Sequence, residues 1–420
     1  MSLHVRPQLF PQRHHPARLS RLRTQPGTTT VGQVPSHPTG PVLLVPSAFH
    51  PHQGGVEELT LRLAQELAKT GPAPLVLTNR WPRDLPTTDT VEGIEVLRHP
   101  MRPGPGKGLR GRVLVQEARL REERLIQQLR RRQISLVHVQ CVSNQAYLAQ
   151  RIVHRLGVPL VVTLHGELSM DATGIYATNS MQQACRDLVD RADAVSGCSR
   201  FVLEEAARFH SCLRSDAVAI LNGVHVPEPL PSVPEEGPYL FAAGRLVRQK
   251  GFDILLQALT RTSTGHRVVI AGDGACRQEL EHLARSLRLG DRVRFLGSVP
   301  HDEVLRWCAG AVAFVLPSRH EPQGIVILEA MAVGTLVIAA SVGGVPETVV
   351  PDRTGFLFPP ESPGELARVL DEVVGRPHEA VLETAKALAR KQTWSTVAAE
   401  YQQLYRQAHA SHAGKPIQAR

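Results

Sequence analysis

Two series of strand-like and helix-like segments constrain the fold of this chain more than any other feature. In the first series, a short apolar run at 42–45 precedes a segment at 56–69 in which leucines at four-residue spacing predict an amphipathic helix. More strand-like runs follow, with helix-like segments between most of them, at 75–78, 94–98, 136–139, 160–164 and 218–221. Strands that alternate with helices predict a parallel sheet with crossover helices.

A proline-rich stretch, VPEPLPSVPEEGP, separates the two series, and its prolines exclude a helix or a central strand. We interpret 227–237 as a linker between an N-terminal domain at 41–226 and a C-terminal domain at 238–410. In the C-terminal domain, the runs YLFAAG, RVVIAGDG, RVRFLG, AVAFVLPS and TLVIAAS again alternate with helix-like segments. A last helix is predicted at 395–408, and it could pack back on the N-terminal domain. The sequence therefore predicts an α/β protein with two doubly wound, Rossmann-like domains that face each other across a cleft.

The positive charge of the chain is unevenly distributed. The formal net charge is +9, and residues 1–40 contribute +5 of it through five arginines and no acidic residue. A basic chain can bind nucleic acid or an anionic membrane. We expect instead that 1–40 is a disordered basic tail, because it lacks the apolar segment of a secretory signal and its prolines weaken a transit-peptide helix. The sequence therefore predicts no nucleic-acid partner.

The apolar runs and the cysteines of the sequence indicate the cellular compartment of the protein. The longest apolar runs are too short to span a membrane. The six cysteines are scattered without a C-x-x-C pair, so neither a zinc site nor a disulfide framework is indicated. Reduced thiols in a cytoplasmic protein are the simplest interpretation.

Small and polar residues of the N-terminal domain follow its strands, at the edge of the sheet where ligands bind in such folds. Gly54 and Gly55 lie between the first strand and its helix, where a ligand can approach the backbone and free N–H groups attract an anion. His165 follows the strand at 160–164, and Asn222 follows the last strand. Ordinary turns and a hydrogen-bonded loop histidine would give the same pattern. The fingerprint G-x-G-x-x-G is absent here, which counts against a nicotinamide-dependent enzyme.

Charged residues follow the first strand of the C-terminal domain. Gly244, Arg245 and Lys250 lie between that strand and its helix, and two cations beside a helix start predict an anion site. Two solvated surface charges are the alternative. Gly274 belongs to a second glycine-rich turn, one strand later.

The segment SRHEPQGIVILEAMAVG places two glutamates around a turn from strand to helix. Glu321 precedes the predicted helix, and Glu329 lies within it among apolar neighbours. An unpaired buried carboxylate is strongly penalised, so these side chains are either solvated or bind a ligand. A carboxylate suits sugar hydroxyls, since it accepts two hydrogen bonds in a fixed plane. The free N–H groups of the helix start would point into the cleft from Gly324, Ile325 and Val326.

Taken together, these motifs resemble the family 4 retaining glycosyltransferases of the GT-B fold. EPQGIVILE is similar to the E-x7-E element of that family, and GGVEE, HGE, NGV, GRLVRQKG and FLGSVP are similar to its other landmarks, in the same order. The resemblance covers about 41–410. It implies a hexosyltransferase-type enzyme that moves a sugar from a nucleotide-diphosphate donor to a hydroxyl acceptor with retained anomeric configuration. It also implies that neither a cofactor nor a metal is needed, which fits the absence of a D-x-D motif.

The resemblance implies roles for individual residues. The residues implied in catalysis are Arg245, Lys250, Glu321 and His165. Arg245 and Lys250 would bind the diphosphate, Glu321 would hold the sugar, and His165 would lie near the sugar. The residues implied in donor binding are Gly54, Gly55, Asn222, Gly244, Gly274, Ser298, Val299, Gly324, Ile325, Val326 and Glu329. Of these, Glu329 would contact the ribose hydroxyls, and the backbone at Ser298 and Val299 would contact the base. Gln323 departs from the family, where an aromatic or small residue is common, and this leaves the donor sugar open.

Several alternatives stay open at this point. One is another GT-B enzyme, either a nucleotide-sugar epimerase or a phosphorylase, and a phosphorylase would need a pyridoxal-phosphate lysine among only six lysines. Another is a non-catalytic protein that binds nucleotide sugars or a membrane surface. The acceptor could be a glycan, a lipid-linked compound or a small molecule.

A basic segment of the N-terminal domain bears on the membrane alternative. Residues 101–133 hold ten Arg or Lys against three Glu. A basic helix there could dock on anionic headgroups and place a cytoplasmic enzyme at the inner face of the membrane. A solvated arginine-rich helix is the other interpretation.

Overall fold

The structure is a computed structural model that describes residues 40–52, 54–101, 108–167, 178–209, 213–228 and 237–415. Nearly all of the basic tail predicted at 1–40 and most of the linker predicted at 227–237 lie outside these described residues.

The first sheet has eight strands, and its central strands β1, β5 and β6 are mostly apolar and buried on both faces. In chain order the strands are β1 (Val42–Pro46), β2 (Leu75–Asn79), β3 (Thr88–Val91), β4 (Ile94–His99), β5 (Leu136–Gln140), β6 (Leu160–Leu164), β7 (Ala194–Gly197) and β8 (Val218–Ala219). Across the sheet they lie in the order β3-β4-β2-β1-β5-β6-β7-β8. All neighbours are parallel except β3, which pairs antiparallel with β4 at the edge. Because β2 and β5 flank β1 on opposite sides, the chain reverses its winding there, and ligands bind beside such a reversal.

The second sheet repeats this plan with six parallel strands. They are β9 (Tyr239–Ala243), β10 (Arg267–Ala271), β11 (Val293–Gly297), β12 (Ala313–Leu316), β13 (Val337–Ala340) and β14 (Phe356–Phe358). Their order is β11-β10-β9-β12-β13-β14, and every pair is parallel. The winding reverses between β9 and β12. The prediction of two doubly wound parallel-sheet domains is therefore confirmed.

Helices cover both sheets. The helices that follow strands of the first sheet are α1 (Gly55–Thr70), α2 (Gly108–Arg131), α3 (Ala146–Leu156), α4 (Asn179–Arg191) and α5 (Arg200–Phe209). The later helices are α6 (Phe252–Leu259), α7 (Arg277–Ser286), α8 (His301–Ala309), α9 (Ile325–Ala332), α10 (Val345–Thr348), α11 (Pro363–Val373), α12 (Glu379–Lys391) and α13 (Trp394–Ala413). Within the described ranges, none of these helices combines the length and the apolar character needed to cross a membrane.

The last helix, α13, returns to the first sheet. Its buried side chains Val397, Tyr401 and Tyr405 belong to the same apolar cluster as Leu44 of β1 and Leu59 of α1. This contact explains why α13 stays helical, because its apolar face is buried against the sheet.

The two chain segments that pass between the sheets lie side by side. The backbone N–H of Val224 donates to the carbonyl oxygen of Gln392, 2.9 Å away. A Cβ atom on Gly223 would lie 2.8 Å from the backbone nitrogen of Trp394, so a side chain there would push the two segments apart.

Candidate active site

An ion pair lies where the winding of the second sheet reverses, between β9 and β12. Lys250, after β9, donates to Glu321, after β12, with 2.7 Å between Nζ and Oε2. The hydroxyl of Ser318 donates to the same carboxylate oxygen at 3.2 Å. The Glu321 side chain is 7% exposed and the Lys250 side chain 19%, so the pair is largely withdrawn from water. Gly251 permits this contact, because it has a φ of +65° and a Cβ there would lie 2.0 Å from the carbonyl oxygen of Pro317.

Arg245 adds a second cation beside this pair. It is exposed at the carboxyl end of β9, and the structure gives it no ion pair within the described part of the chain. Its loop is held by close packing, since a Cβ on Gly272 would lie 2.0 Å from the carbonyl oxygen of Gly244, and one on Gly274 would lie 2.6 Å from that of Leu246. Packing between two loops thus explains the glycine at 274, and its role in donor binding stays a prediction.

The starts of two helices meet between the sheets. A Cβ on Gly55, at the start of α1, would lie 3.6 Å from Cδ1 of Ile325, at the start of α9. The residues before these helices, Gly54 and Gly324, provide no side-chain cap. A glycine has no side chain that could accept from the first-turn N–H groups, and the partial positive charge of a helix start favours an anion there. Ile325 and Val326 are half-buried at this contact.

Glu329 lies one turn further along α9. Its side chain is 13% exposed, and Oε1 is 3.6 Å from Nε2 of His301 at the start of α8. Burial raises the pKa of Glu329, His301 opposes this, and Glu58 of α1 adds to the rise in pKa. Glu329 is therefore enclosed by elements of both domains. Ser298 and Val299, which precede α8, are exposed and half-buried respectively.

His165 contributes a neutral ring from the first sheet. Its Nε2 lies 2.8 Å from Oε1 of Gln140, the last residue of β5. Burial lowers the pKa of His165 to about 4, so the ring carries no charge near neutral pH. The structure thus places His165 at the carboxyl end of β6, with an amide as its partner.

Glu167 is a buried carboxylate that the sequence analysis did not assign. One oxygen accepts from the backbone N–H of His165 at 2.7 Å, and the other accepts from that of Val142 at 2.6 Å. Burial raises the pKa of Glu167 to about 7, although these two N–H groups act in the opposite direction. Glu167 therefore ties the loops after β5 and β6 together. The signal in the sequence that could have identified Glu167 was its position in HGE, three residues after the end of β6.

Asn222 and Gln323 join the two domains. The backbone N–H of Asn222 donates to Oε1 of Gln323 at 2.8 Å, and Nε2 of Gln323 donates to the carbonyl oxygen of Asn222 at 3.3 Å. Gln323 is 2% exposed. Its amide is thus engaged by the N-terminal domain, which gives a physical reason for a glutamine at this position of the sequence.

Two more contacts lie beside this glutamine. The hydroxyl of Ser199 donates to the carbonyl oxygen of Pro322 at 2.7 Å. The carboxylate of Glu347 accepts from the backbone N–H groups of Arg200 and Phe201 at 3.0 and 2.8 Å, where α5 begins. Together with the Asn222–Gln323 pair, we call these contacts the interdomain latch.

Comparison with known proteins identifies the family. The family model "Glycosyltransferase Family 4" matches 53–228, and the model "Glycosyl transferases group 1" matches 231–392, so the two matches extend over both sheets. The chain belongs to the family 4 glycosyltransferases. This glycosyltransferase is 27% identical over 394 residues to D-inositol 3-phosphate glycosyltransferase of Streptomyces scabiei, in an alignment that covers 86% of this chain and 87% of that protein. The predicted family and the predicted class of enzyme, a hexosyltransferase-type glycosyltransferase, are confirmed.

Solved structures give the fold of this glycosyltransferase. Sucrose-phosphate synthase of Thermosynechococcus elongatus superposes with a TM-score of 0.74 at 22% identity, over 88% of this chain and 100% of that one. HepE of Anabaena, in complex with UDP and glucose, superposes with a TM-score of 0.68 at 21% identity, over 86% and 98% of the two chains. The predicted GT-B fold is confirmed.

Proposed function

We propose that this glycosyltransferase uses a nucleotide-diphosphate sugar as its donor and binds the diphosphate between the starts of α1 and α9. The observation that carries the proposal is the meeting of these two helix starts, with Lys250 paired to Glu321 in the loop before α9 and Arg245 in the same loop as Lys250. Helix starts and cations together favour a phosphate group over a neutral ligand. The UDP and glucose bound by HepE of Anabaena support the same class of ligand.

Arg245 and Lys250 would act on the leaving group. When the bond between the sugar and the phosphate breaks, negative charge develops on the phosphate oxygen. A positioned donor for such charge is worth on the order of 3 kcal/mol in a site that excludes water. Lys250 is already held by Glu321, so a phosphate would meet an ammonium group whose position is fixed in advance.

The other site residues would bind the remainder of the donor. Glu329 would accept hydrogen bonds from the ribose hydroxyls, and the backbone at Ser298 and Val299 would contact the base. Glu321, the amides near Gly324 and His165 would surround the sugar.

We propose that transfer retains the anomeric configuration and needs no metal ion or cofactor. The hydroxyl oxygen of the acceptor would attack on the face from which the phosphate departs. A bond forms between that oxygen and the anomeric carbon, the bond from this carbon to the phosphate oxygen breaks, and the proton of the hydroxyl passes to the phosphate. The resemblance to the retaining family and the presence of Arg245 and Lys250 support this mechanism.

We also propose a peripheral site at the inner face of the membrane for a cytoplasmic enzyme that acts on a lipid-linked acceptor. On α2, Leu120 is 55% exposed and lies between the exposed Arg119 and Arg121. An exposed apolar side chain among arginines suits an anionic lipid surface. Co-sedimentation with anionic vesicles should then exceed that with neutral vesicles and fall in Leu120→Glu, and equal recovery with both kinds of vesicle would end this part of the proposal.

The donor proposal is tested with purified protein and a panel of nucleotide sugars, by release of the nucleoside diphosphate in the presence of mixed hydroxyl acceptors. We expect turnover with at least one donor, and its loss in Arg245→Ala and Glu329→Ala while both variants keep their circular dichroism spectrum. Full activity in both variants would remove the site assignment. Nucleotide binding without any turnover would favour a non-catalytic sensor.

A further inference from the structure

A chain of buried polar side chains connects the last helix to His165. The hydroxyl of Tyr405, on α13, lies 2.8 Å from Nδ1 of His138, on β5. The amide nitrogen of Gln140, on the same face of β5, lies 3.1 Å from Nε2 of His138. The amide oxygen of Gln140 lies 2.8 Å from Nε2 of His165. Tyr405, His138 and Gln140 have no exposed surface.

These hydrogen-bonded side chains belong to a row of polar residues that crosses the first sheet, which we call the polar stripe. Gln140, Thr163 and Ser196 are neighbours in register across β5, β6 and β7, and the hydroxyls of Thr163 and Ser196 lie 2.7 Å apart. Apolar side chains would fill such a position at a lower cost, because buried polar groups are penalised unless they are hydrogen-bonded. At Gln140, the last residue of β5, the stripe reaches the edge of the sheet and contacts His165.

The two ends of the Gln140 amide are not equivalent. The nitrogen end faces His138, and the oxygen end faces His165. An amide oxygen only accepts hydrogen bonds, so the ring nitrogen of His165 that faces it must donate. A neutral imidazole has one N–H group. The proton of His165 is therefore on Nε2, and Nδ1 keeps its lone pair.

We propose that Gln140 is a positioning residue that holds His165 as the Nε2-protonated neutral tautomer, which leaves Nδ1 as a hydrogen-bond acceptor. The tautomer itself does not depend on the ligand.

The tautomer is tested by NMR on ligand-free protein with ¹⁵N-labelled histidine, with the His165 signals assigned through His165→Ala. In the wild type we expect a proton on Nε2 and none on Nδ1, with the Nε2 proton shifted by its hydrogen bond and protected from exchange with water. A proton on Nδ1 would overturn the proposal. Because no donor is added, this result is independent of whether the protein transfers sugars.

Two variants examine the part played by Gln140. Gln140→Leu removes the hydrogen-bond acceptor. We therefore expect the Nε2 proton of His165 to exchange faster with water and to lose the change in chemical shift that the hydrogen bond causes. Gln140→Glu keeps the acceptor and adds negative charge, so the pKa of His165 should rise by about one unit or more. Among the described residues, the other titratable groups near the ring are Glu167, at the backbone N–H of His165, and His138, behind Gln140.

Gln145→Leu is the matched control. Gln145 is also buried and donates through its amide to the carbonyl oxygens of Cys141 at 2.7 Å and of Gln140 at 3.5 Å, and within the described residues it has no hydrogen bond to the His165 ring or to the Gln140 side chain. We expect this control to leave the ring signals of His165 in place. An unchanged Nε2 signal and an unchanged titration in both Gln140 variants would overturn the assignment of Gln140.

Discussion

The ligand edges of the two sheets are built from different chemistry. The edge of the second sheet carries charge: Arg245 is exposed, Lys250 pairs with Glu321, and Glu329 is enclosed near His301. At the edge of the first sheet, the ring of His165 is neutral and bonded to an amide, and the carboxylate of Glu167 accepts from backbone N–H groups.

This difference indicates a division of labour between the domains. Charges attract and stabilise a diphosphate, whereas oriented neutral groups discriminate among hydroxyls. The second domain would then supply most of the rate and the first domain most of the orientation.

The largest effect is expected for Lys250→Met. Activity should fall by about 10²–10³-fold, because a positioned donor to the leaving phosphate is lost. Stability should fall by about 3 kcal/mol, because the buried Glu321 carboxylate loses its partner. Activity assays and urea denaturation measure the two effects. In Lys250→Met/Glu321→Gln we expect stability to recover without activity, and recovery of both would contradict a catalytic role for Lys250.

On the first sheet, Glu167 should make stability depend on pH. Its pKa is raised in the folded state to about 7, from an ordinary value of 4.5, so the folded protein holds the proton more tightly than the unfolded chain. The stability that Glu167 contributes is then highest below about pH 4.5 and falls by about 3 kcal/mol as the pH rises to about 7.

Urea denaturation of wild type and Glu167→Gln between pH 4.5 and 7.5 isolates this effect. The stability of the wild type relative to the variant should decline over this range. A relative stability that stays constant or rises would show that the two backbone N–H groups keep Glu167 ionised.

Arg245→Ala should lower the activity of the enzyme and leave its stability nearly unchanged. Because Arg245 is exposed and has no ion pair in the described ranges, its removal should change stability by no more than about 0.5 kcal/mol. Activity should fall by about 100-fold if Arg245 contacts the leaving phosphate. Arg248→Ala, which changes an exposed arginine three residues away, is the control, and an equal loss in both variants would point to long-range charge rather than contact.

The smallest effect is expected at the interdomain latch. Glu347→Gln removes a charge that accepts two backbone N–H groups at the start of α5, and we expect a loss of about 1 kcal/mol in denaturation experiments. Glu372, an exposed partner of Arg368 on α11, is a suitable control, and Glu372→Gln should change stability by less. Equal stability of Glu347→Gln and wild type would show that the Glu347 contacts of the latch contribute nothing.

The sequence predicted most of the strands that are apolar runs, but it missed the short apolar strand β14 and two strands that contain polar residues. Strands β1, β5 and β6 are buried on both faces and were predicted. The short strand β7, with the sequence AVSG, was missed because Ser196 belongs to the polar stripe. The edge strand β3 was missed because its residues TDTV are partly exposed and mostly polar.

The sequence indicated which loops hold the site residues, but it did not indicate which side chains those residues contact. Glycines and charges after strands predicted which loops matter, because parallel strands align their carboxyl ends. The pair of Lys250 and Glu321 depends on β9 and β12 being neighbours, which local pattern does not give. His138 and Gln140 occur inside an apolar strand, and their use depends on a helix that follows more than 250 residues later.

The most direct test of the central claim is calorimetry of nucleoside diphosphates and the corresponding nucleosides, with UDP, ADP and GDP as probes. If a diphosphate binds between the starts of α1 and α9, at least one diphosphate should bind tenfold or more tightly than its nucleoside, and Gly55→Val should abolish that difference by filling the gap toward Ile325. Diphosphates that bind no better than nucleosides, or a difference that survives in Gly55→Val, would contradict the account.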